Sequence, residues 1–414
     1  MPSTHHLSSD ATAAITPPII PHALVDAFAT VCDPRSRQGQ RFTVAALLTL
    51  AVAAMLANHL SPFAIAQWGT EQDAASKRAM GFPKGVTPHQ STFHRLFRRL
   101  DPALLSSALA AHRAVHPSPD ARVRGAAGIA IDGKAQRGRL AFAVTAGCPV
   151  HALSACTHER GVVLAQEEIV GHTQKAEAEL TVAPRLIARL DWHGRVLTGD
   201  ALFCQRNLCV QVTAAGGDYL VIVKENQPAL VRDIATLFAS RADTALRAAS
   251  LPAWGMREAV SEERGHGRHE HRRVLASTEL NDYLDWPGVA QVFMVERHWQ
   301  EGGASKQAVR YGITSLPPEV ADAARLGALT RGHWQIENGL HYVNGRPLGR
   351  VTLGEDRSLI HTGNGPSIMA ILRDTVVSVL HRAGWRTIAE RLRYYSGHPK
   401  EVLAFLGIPL AENA

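Results

Sequence analysis

The sequence predicts an α/β protein in which an all-helical N-terminal region precedes a sheet-containing core that carries a β-rich insertion. Three observations lead there. Up to about residue 120 the apolar residues recur at helical spacing, as in "STFHRLFRRL". From Ala126 they gather instead into short strand-length runs separated by Gly and polar turns, among them "AGIAIDG" and "GRVLTGDA". After residue 240 a basic, strand-like text follows, including "GHGRHEHRRVLAST" and "GVAQVFMVERHWQ", before the last helical segments.

Composition limits what such a fold can be for. At 414 residues the chain is long enough for two or three domains, and 46% hydrophobic residues is ordinary for a globular protein. Lys+Arg 44 against Asp+Glu 37 leaves a net charge of +7 and a pI near 9.4, which suits a polyanionic partner. The five cysteines are odd in number and form no C-x-x-C pair, which argues against a disulfide framework or a cysteine-built zinc site and fits a reducing, cytoplasmic setting. The first residues lack a basic stretch followed by an apolar one, so no secretory signal is read there. "TVAALLTLAVAAMLANHL" is about long enough to span a bilayer, but it is Ala-rich, carries Asn58 and His59, and reads as a buried core helix with no membrane role.

The elements fall in order along the chain. Residues 1–20 read as a flexible lead and 21–120 as a helical DNA-binding domain. There Thr87 or Ser91 can cap a helix whose apolar face holds Phe93, Leu96, Phe97 and Leu100, leaving Arg95, Arg98 and Arg99 for phosphates as in a helix-turn-helix, or as a solvated basic face. "HPSPDARVRG" is the linker. Residues 121–395 then form the core, with the insertion at about 240–316, and 396–414 a C-terminal tail. Within the core, three strands, a helix, a strand, a helix and a strand follow one another, which is the element order of an RNase H-like domain. In such a sheet the first and fourth strands are neighbours, so Asp132 and Asp200, each closing an apolar run, would meet at one end although far apart in the chain. "PPEVADAARLGALTRGHWQIENGLHYV" reads as a helix opening on a first-turn proline.

Two acids at neighbouring strand tips are costly unless cations satisfy them, and together they can hold Mg²⁺ (Mn²⁺ also suits them), which takes oxygen ligands and keeps several waters. Phosphodiester cleavage uses two such ions about 4 Å apart, so a third acid is expected on an adjacent helix; Glu337, with Arg331 before it and His341 after it, fits. Lys134 and Arg137 follow Asp132 closely and are placed for DNA, as are Lys224, Arg268, Arg272 and Arg331. Glu355 and Asp356 are alternative third acids. Glu177 and Glu179 read either as helix-start carboxylates or as acids beside the sheet. His266, His269 and His271 permit a zinc reading, but a basic DNA-facing ribbon is preferred. Lys224, Asn226 and Gln227 could reach DNA backbone or form a capped turn. Trp68, Trp334 and Tyr342 read as packing residues.

The texts "DPRSRQGQRF", "IAIDGKAQRG", "HALSACTHERGVVLAQ", "TGDALFCQR", "GGDYLVIVKENQP", "HGRHEHRRV", "RGHWQIENGLHYV" and "VTLGEDRS", in this order, resemble bacterial insertion-sequence transposases of the ISAs1 type, DDE enzymes related to the IS4 group. The resemblance runs from Ala27 to about Leu380. It implies an RNase H-like core interrupted by a β insertion, Asp132, Asp200 and Glu337 as the DDE triad, Mg²⁺ or Mn²⁺ as cofactor, and transposition between element ends and target DNA. Paired ends imply a homodimer on DNA. The chain departs from the family at 344–350, where "NGRPL" looks inserted and Arg350 replaces the usual Asp before Val. Gly345, Pro347 and Gly349 would break a continuing helix. A catalytically impaired, transposase-derived DNA-binding protein and an RNase H-like nuclease without strand transfer are therefore alternatives.

Overall fold

The computed structural model describes residues 24–115, 127–135, 151–169, 175–239, 255–265, 268–301, 304–336, 353–354, 358–360, 362–385 and 387–410. Six helices come first: α1 (Leu24–Ala29), α2 (Val44–Leu56), α3 (Pro62–Glu71), α4 (Ala74–Ala79), α5 (Gln90–Arg99) and α6 (Pro102–Val115). The Ala/Leu-rich α2 is buried on every side, and Thr43 caps it by accepting a hydrogen bond from Ala46 N at 3.1 Å. The stretch Arg37–Leu56 has the length and mean hydropathy (1.5) to cross a membrane, yet 67% of it is buried inside the protein, as in a core helix. In α5 Phe93, Leu96 and Phe97 face inward while Arg95, Arg98 and Arg99 are exposed. The cap differs from the expected Thr87 or Ser91: His89 occupies it, its Nδ1 accepting from Ser91 N at 3.3 Å.

The helical core does not close among these six. It continues into α11 (Gly365–Arg382), α12 (Ile388–Gly397) and α13 (Pro399–Phe405) at the far end of the chain. Asn364 ties the two together: its backbone N–H donates to Arg98 O at 3.2 Å and its Nδ2 to Leu100 O at 2.9 Å. Residues 396–414, set apart from sequence as a tail, thus supply Val402, Leu403 and Phe405 to the core that holds α2.

Nine strands form one mixed sheet: β1 (Ala127–Ala135), β2 (His151–Thr157), β3 (Val163–Ile169), β4 (Arg195–Gly199), β5 (Asp218–Val223), β6 (Met256–Gly265), β7 (Arg268–Ser277), β8 (Gln291–Glu301) and β9 (Ala304–Thr314). Their spatial order is β3-β2-β1-β4-β5-β9-β8-β7-β6. β1, β4 and β5 run parallel, joined by α7 (Lys175–Ala188) and α8 (Arg206–Ala214); every other pairing is antiparallel. The β-rich stretch after α9 (Pro228–Ala239) extends the same sheet through β9 rather than forming a separate one. Helix α10 (Ala323–Gln335) crosses one face of this sheet, touching β1, β4 and β5 as well as β6, β7 and β8. It begins later than its prolines suggested, at Asp322, whose carboxylate accepts from Arg325 N at 2.7 Å; Pro317 and Pro318 lie in the preceding turn.

Because α13 is core rather than appendage, Leu403→Ala should lower the unfolding free energy by about 2–5 kcal/mol, the usual cost of emptying a buried leucine site. Urea denaturation followed by far-UV circular dichroism reads this. A change near zero would return the C-terminus to the status of a tail.

Candidate active site

The parallel pairing of β1 with β4 sets Ala127 against Arg195 and Ala130 against Thr198. The same offset puts Asp132, inside β1, opposite Asp200, one residue past the end of β4. Both acids line one pocket of about 140 Å³. Asp200 is exposed at the tip of β4, and its Oδ1 accepts from Leu202 N at 2.9 Å, capping the short 3₁₀ turn Ala201–Phe203 and fixing the carboxylate.

Neighbouring segments brace this turn. Asn226 Nδ2 donates to Ala201 O at 2.6 Å and Gln227 Nε2 to Cys204 O at 3.0 Å, so these two side chains adopt the capped-turn role, while Lys224, one residue past β5, is exposed and lines the pocket. Glu179, on α7, is only 2% exposed and lies against β1; a Cβ on Gly133 would come within 2.1 Å of its Oε1. It is a buried acid behind the strand that carries Asp132 and is absent from the pocket lining.

The remaining wall comes from α10 through Thr330, His333, Trp334 and Ile336. Behind the wall a histidine joins three elements. His158 Nε2 lies 2.7 Å from Thr198 Oγ1, which is 3.3 Å from Ile129 O and 3.4 Å from His333 Nδ1. Burial first, then the positive groups nearby, pushes His158 down to about 3. Burial likewise pushes His333 down to about 4, so both rings are neutral near neutral pH.

A second cleft, of about 260 Å³, adjoins the acid pocket and shares Arg310, Thr330 and Trp334 with it. Arg272, Arg297 and Arg331 also line it. The guanidinium of Arg310 sits 4.7 Å from the centre of the Trp334 ring, an ordinary cation–π distance. The ribbon differs here from the uniformly DNA-facing surface expected. Arg272 is bonded to Glu270, which also holds Arg297 Nη2 at 2.6 Å, and Arg273 is bonded to Glu258. Arg331 pairs with Glu263. Glu270 sits two residues from Arg272 on the same face of β7 and reaches Arg297 diagonally on β8, while Arg273 faces Glu296 across β8, so these charges pair with one another before they meet a ligand. Among the described residues no three His, Cys, Asp or Glu side chains cluster as a metal set; His269 pairs with Glu262 at 3.6 Å and His271 stacks near His298.

Trp68 is buried as expected, but Trp334 is 37% exposed at the edge of both clefts, where sequence reading assigned it to packing. Arg310, His158, Thr198 and His333 were not singled out from sequence. The available signal was "LTGD" and "RGHW", in which Thr198 lies two positions from Asp200 and Gly332 precedes His333. The lead 1–20, Arg137, Glu337, the 344–350 departure, Tyr342, Glu355, Asp356 and His266 lie outside the described residues, as do the side chains of Lys134, Glu177 and Arg268. Glu337 is the position after Ile336, a residue of the pocket wall.

Comparison with known proteins decides the family. Residues 126–354 match the family model described as "Transposase DDE domain", and residues 25–113 match one described as "DDE_Tnp_1-associated". The chain belongs to the DDE transposase domain family. It is 30% identical over 298 residues to "Uncharacterized protein in dhlA 3'region" of Xanthobacter autotrophicus, covering 70% of this chain and 92% of that one. It is 25% identical over 395 residues to "Putative transposase YncI" of Escherichia coli O157:H7, covering 92% and 94% respectively. To "H repeat-associated putative transposase YhhI" of Escherichia coli K12 it is 27% identical over 341 residues, covering 79% and 83%. Among solved structures, a piggyBac transposase synaptic complex with hairpin DNA aligns at 9% identity and a TM-score of 0.33 over 96% of this chain and 79% of that chain, too distant to bear on the fold.

The neutral histidines of this transposase-family chain carry a pH consequence. A histidine with a folded-state value below its unfolded value of about 6.5 favours the folded state fully above pH 6.5 and progressively less as pH falls toward the folded value. For His158 the loss should reach about 2 kcal/mol by pH 5, at 1.36 kcal/mol per unit. Urea midpoints at pH 7.5 and 5.0 measure it. His158→Gln should shrink the difference; an unchanged difference would show that His158 is not held neutral.

Proposed function

We propose that this protein is a DNA transposase of the ISAs1 type that cleaves phosphodiester bonds at the ends of its element and joins those ends to target DNA. The observation that carries this reading is the convergence of Asp132, inside β1, and Asp200, just past the end of the adjacent parallel β4, on one pocket whose wall includes Ile336. The strand order β3-β2-β1-β4-β5, with its last three strands parallel, supports an RNase H-like core.

The donor set fits a hard divalent cation: two carboxylates level with one another, one of them held rigidly by Leu202 N. Asp132 and Asp200, completed by Glu337, would hold Mg²⁺ or Mn²⁺. Bound there, the metal would activate the attacking oxygen and stabilise the leaving one. The protein's own share is placement. Lys224 offers its ammonium to a phosphate oxygen at the pocket mouth, and Arg310, propped on Trp334, offers a second cationic group between the acids and the adjoining cleft.

DNA is held largely through its phosphates in this reading, with the exposed Arg95, Arg98 and Arg99 of α5 as one contact surface and a homodimer pairing two element ends. Arg272 and Arg331 contribute where their acidic partners yield to phosphate.

The test is purified full-length protein with its own terminal-repeat DNA and Mg²⁺ or Mn²⁺. Joined products support transposition, cuts without joining support a nuclease, and binding without cleavage supports an impaired descendant. Asp132→Asn and Asp200→Asn should each abolish cleavage with folding and DNA binding retained, because an amide keeps the shape and removes the charge a divalent ion needs. Glu337→Gln should do the same and Glu355→Gln far less; the reverse result would move the third ligand to 355–356. Binding should weaken steeply with salt, and Arg95→Ala, Arg98→Ala and Arg99→Ala together should reduce the salt slope.

A further inference from the structure

The acid pocket depends on α10 lying close to β1 and β4, to which its main chain cannot bond. α10 packs across β1 and β4, yet a helix has no free main-chain donors along its flank and cannot join a sheet ladder. Its placement needs side chains. His158 reaches β1, β4 and α10 together.

Its backbone N–H donates to Gly128 O at 3.0 Å, anchoring it beside β1. Its ring stands in a slot between β1 and α10 where neither wall has a side chain. A Cβ added to Gly128 would lie 2.2 Å from His158 Nδ1, and one added to Gly332 would lie 2.1 Å from the same atom. Real Cβ contacts do not come that close, so both glycines are required for the ring to lie where it does. From there Nε2 meets Thr198 Oγ1 at 2.7 Å. The Thr198 hydroxyl has one proton and is within 3.3 Å of Ile129 O, an obligate acceptor, so His158 Nε2 is the donor to Thr198. His333, the neighbour of Gly332, approaches the same hydroxyl through Nδ1 at 3.4 Å. One hydroxyl on β4 thereby gathers a carbonyl from β1, a ring beside β2 and a ring from α10.

The positions matter more than the number of bonds. Gly128 and Ile129 lead directly to Asp132, Thr198 to Asp200, and Gly332 and His333 to the end of α10 after which Glu337 follows. We propose that His158 is a positioning residue: it locks α10 in register against β1 and β4 and so holds the strands that carry Asp132 and Asp200 in place for a metal ion. The proposal rests on the reading of Asp132, Asp200 and Glu337 given above.

Side chains that orient ligands without touching the metal commonly change metal affinity or activity by about 10–100-fold when removed. Four variants of the full-length protein separate the ring's shape from its hydrogen bond. His158→Ala removes both, His158→Phe keeps a filled slot without the donor, His158→Gln keeps an N–H donor, and Gly332→Ala drives a methyl into the slot. Each is first compared with wild type by thermal melting, then by Mn²⁺ affinity from electron paramagnetic resonance, and by hydrogen exchange of the amides of α10 and β5. Ala, Phe and Gly332→Ala should weaken Mn²⁺ binding about tenfold and speed exchange in the last turns of α10 while β5 is unchanged; Gln should restore both. Unaltered affinity and exchange in His158→Ala would overturn the proposal, as would faster exchange spread evenly through the sheet, which is the mark of plain destabilisation. Absence of Mn²⁺ binding by the wild type would sink the reading of the acids instead, and the exchange of α10 would then decide the lock by itself.

Discussion

The parallel pairing of β1 with β4 is the constraint on which the rest of the site depends. Parallel strands cannot be joined by a tight turn; here β2, β3 and α7 intervene, and the chain returns to lay β4 beside β1. The register of that return decides everything at the tips. A shift of one residue would turn Asp200 to the other face of the sheet, away from Asp132. The register is held by the burial of Val196 and Leu197 in separate apolar clusters on the two faces of the sheet, and by the Thr198 hydroxyl, which reaches across to Ile129 O at 3.3 Å. Cores on both sides of the sheet therefore specify which pair of acids two interior strands bring together.

Polar groups inside that frame are few and consistently used. Glu179 and His158 are buried beside the acids and His333 is half-buried, and each lies against a glycine or a hydroxyl that admits it. Gly133 makes room for a carboxylate and Gly128 and Gly332 for a ring. The arginine-lined cleft follows another logic. There Glu270, Glu258 and Glu263 answer Arg272, Arg297, Arg273 and Arg331, so the insertion sheet is stabilised by its own charges until a stronger anion competes for them.

Much of this was legible in the sequence, and the failures share a cause. The strands around Asp132 and Asp200 were readable because the same pattern, an apolar run followed by an acid, occurs twice, and the order of elements implied that the two strands are neighbours. The Ala/Leu-rich α2 was readable as core because its Ala content makes it only weakly hydrophobic and the run carries Asn58 and His59. By contrast, the start of α10 was misplaced because the prolines at 317–318 offer a first-turn signal that the side chain of Asp322 overrides. The role of the C-terminal helices, the pairing of the ribbon arginines and the His158 slot depend on contacts between distant segments. No local period or composition encodes which glycine faces which ring. Trp334 was misread for the same reason: a tryptophan on an amphipathic helix signals burial, and only the neighbouring Arg310 reveals an edge position.

Iron-directed cleavage of the polypeptide tests the proposed metal site of Asp132, Asp200 and Glu337 most directly. Fe²⁺ substituted for Mg²⁺ in the full-length protein, with ascorbate and peroxide, generates hydroxyl radicals that cut the main chain beside the metal. Cuts clustered next to Asp132, Asp200 and Glu337, all suppressed by excess Mg²⁺ and all lost together in Asp132→Asn, are the expected result. Cuts at only one of the two strand tips, or at 355–356 in place of 337, would contradict a site built on the β1–β4 register.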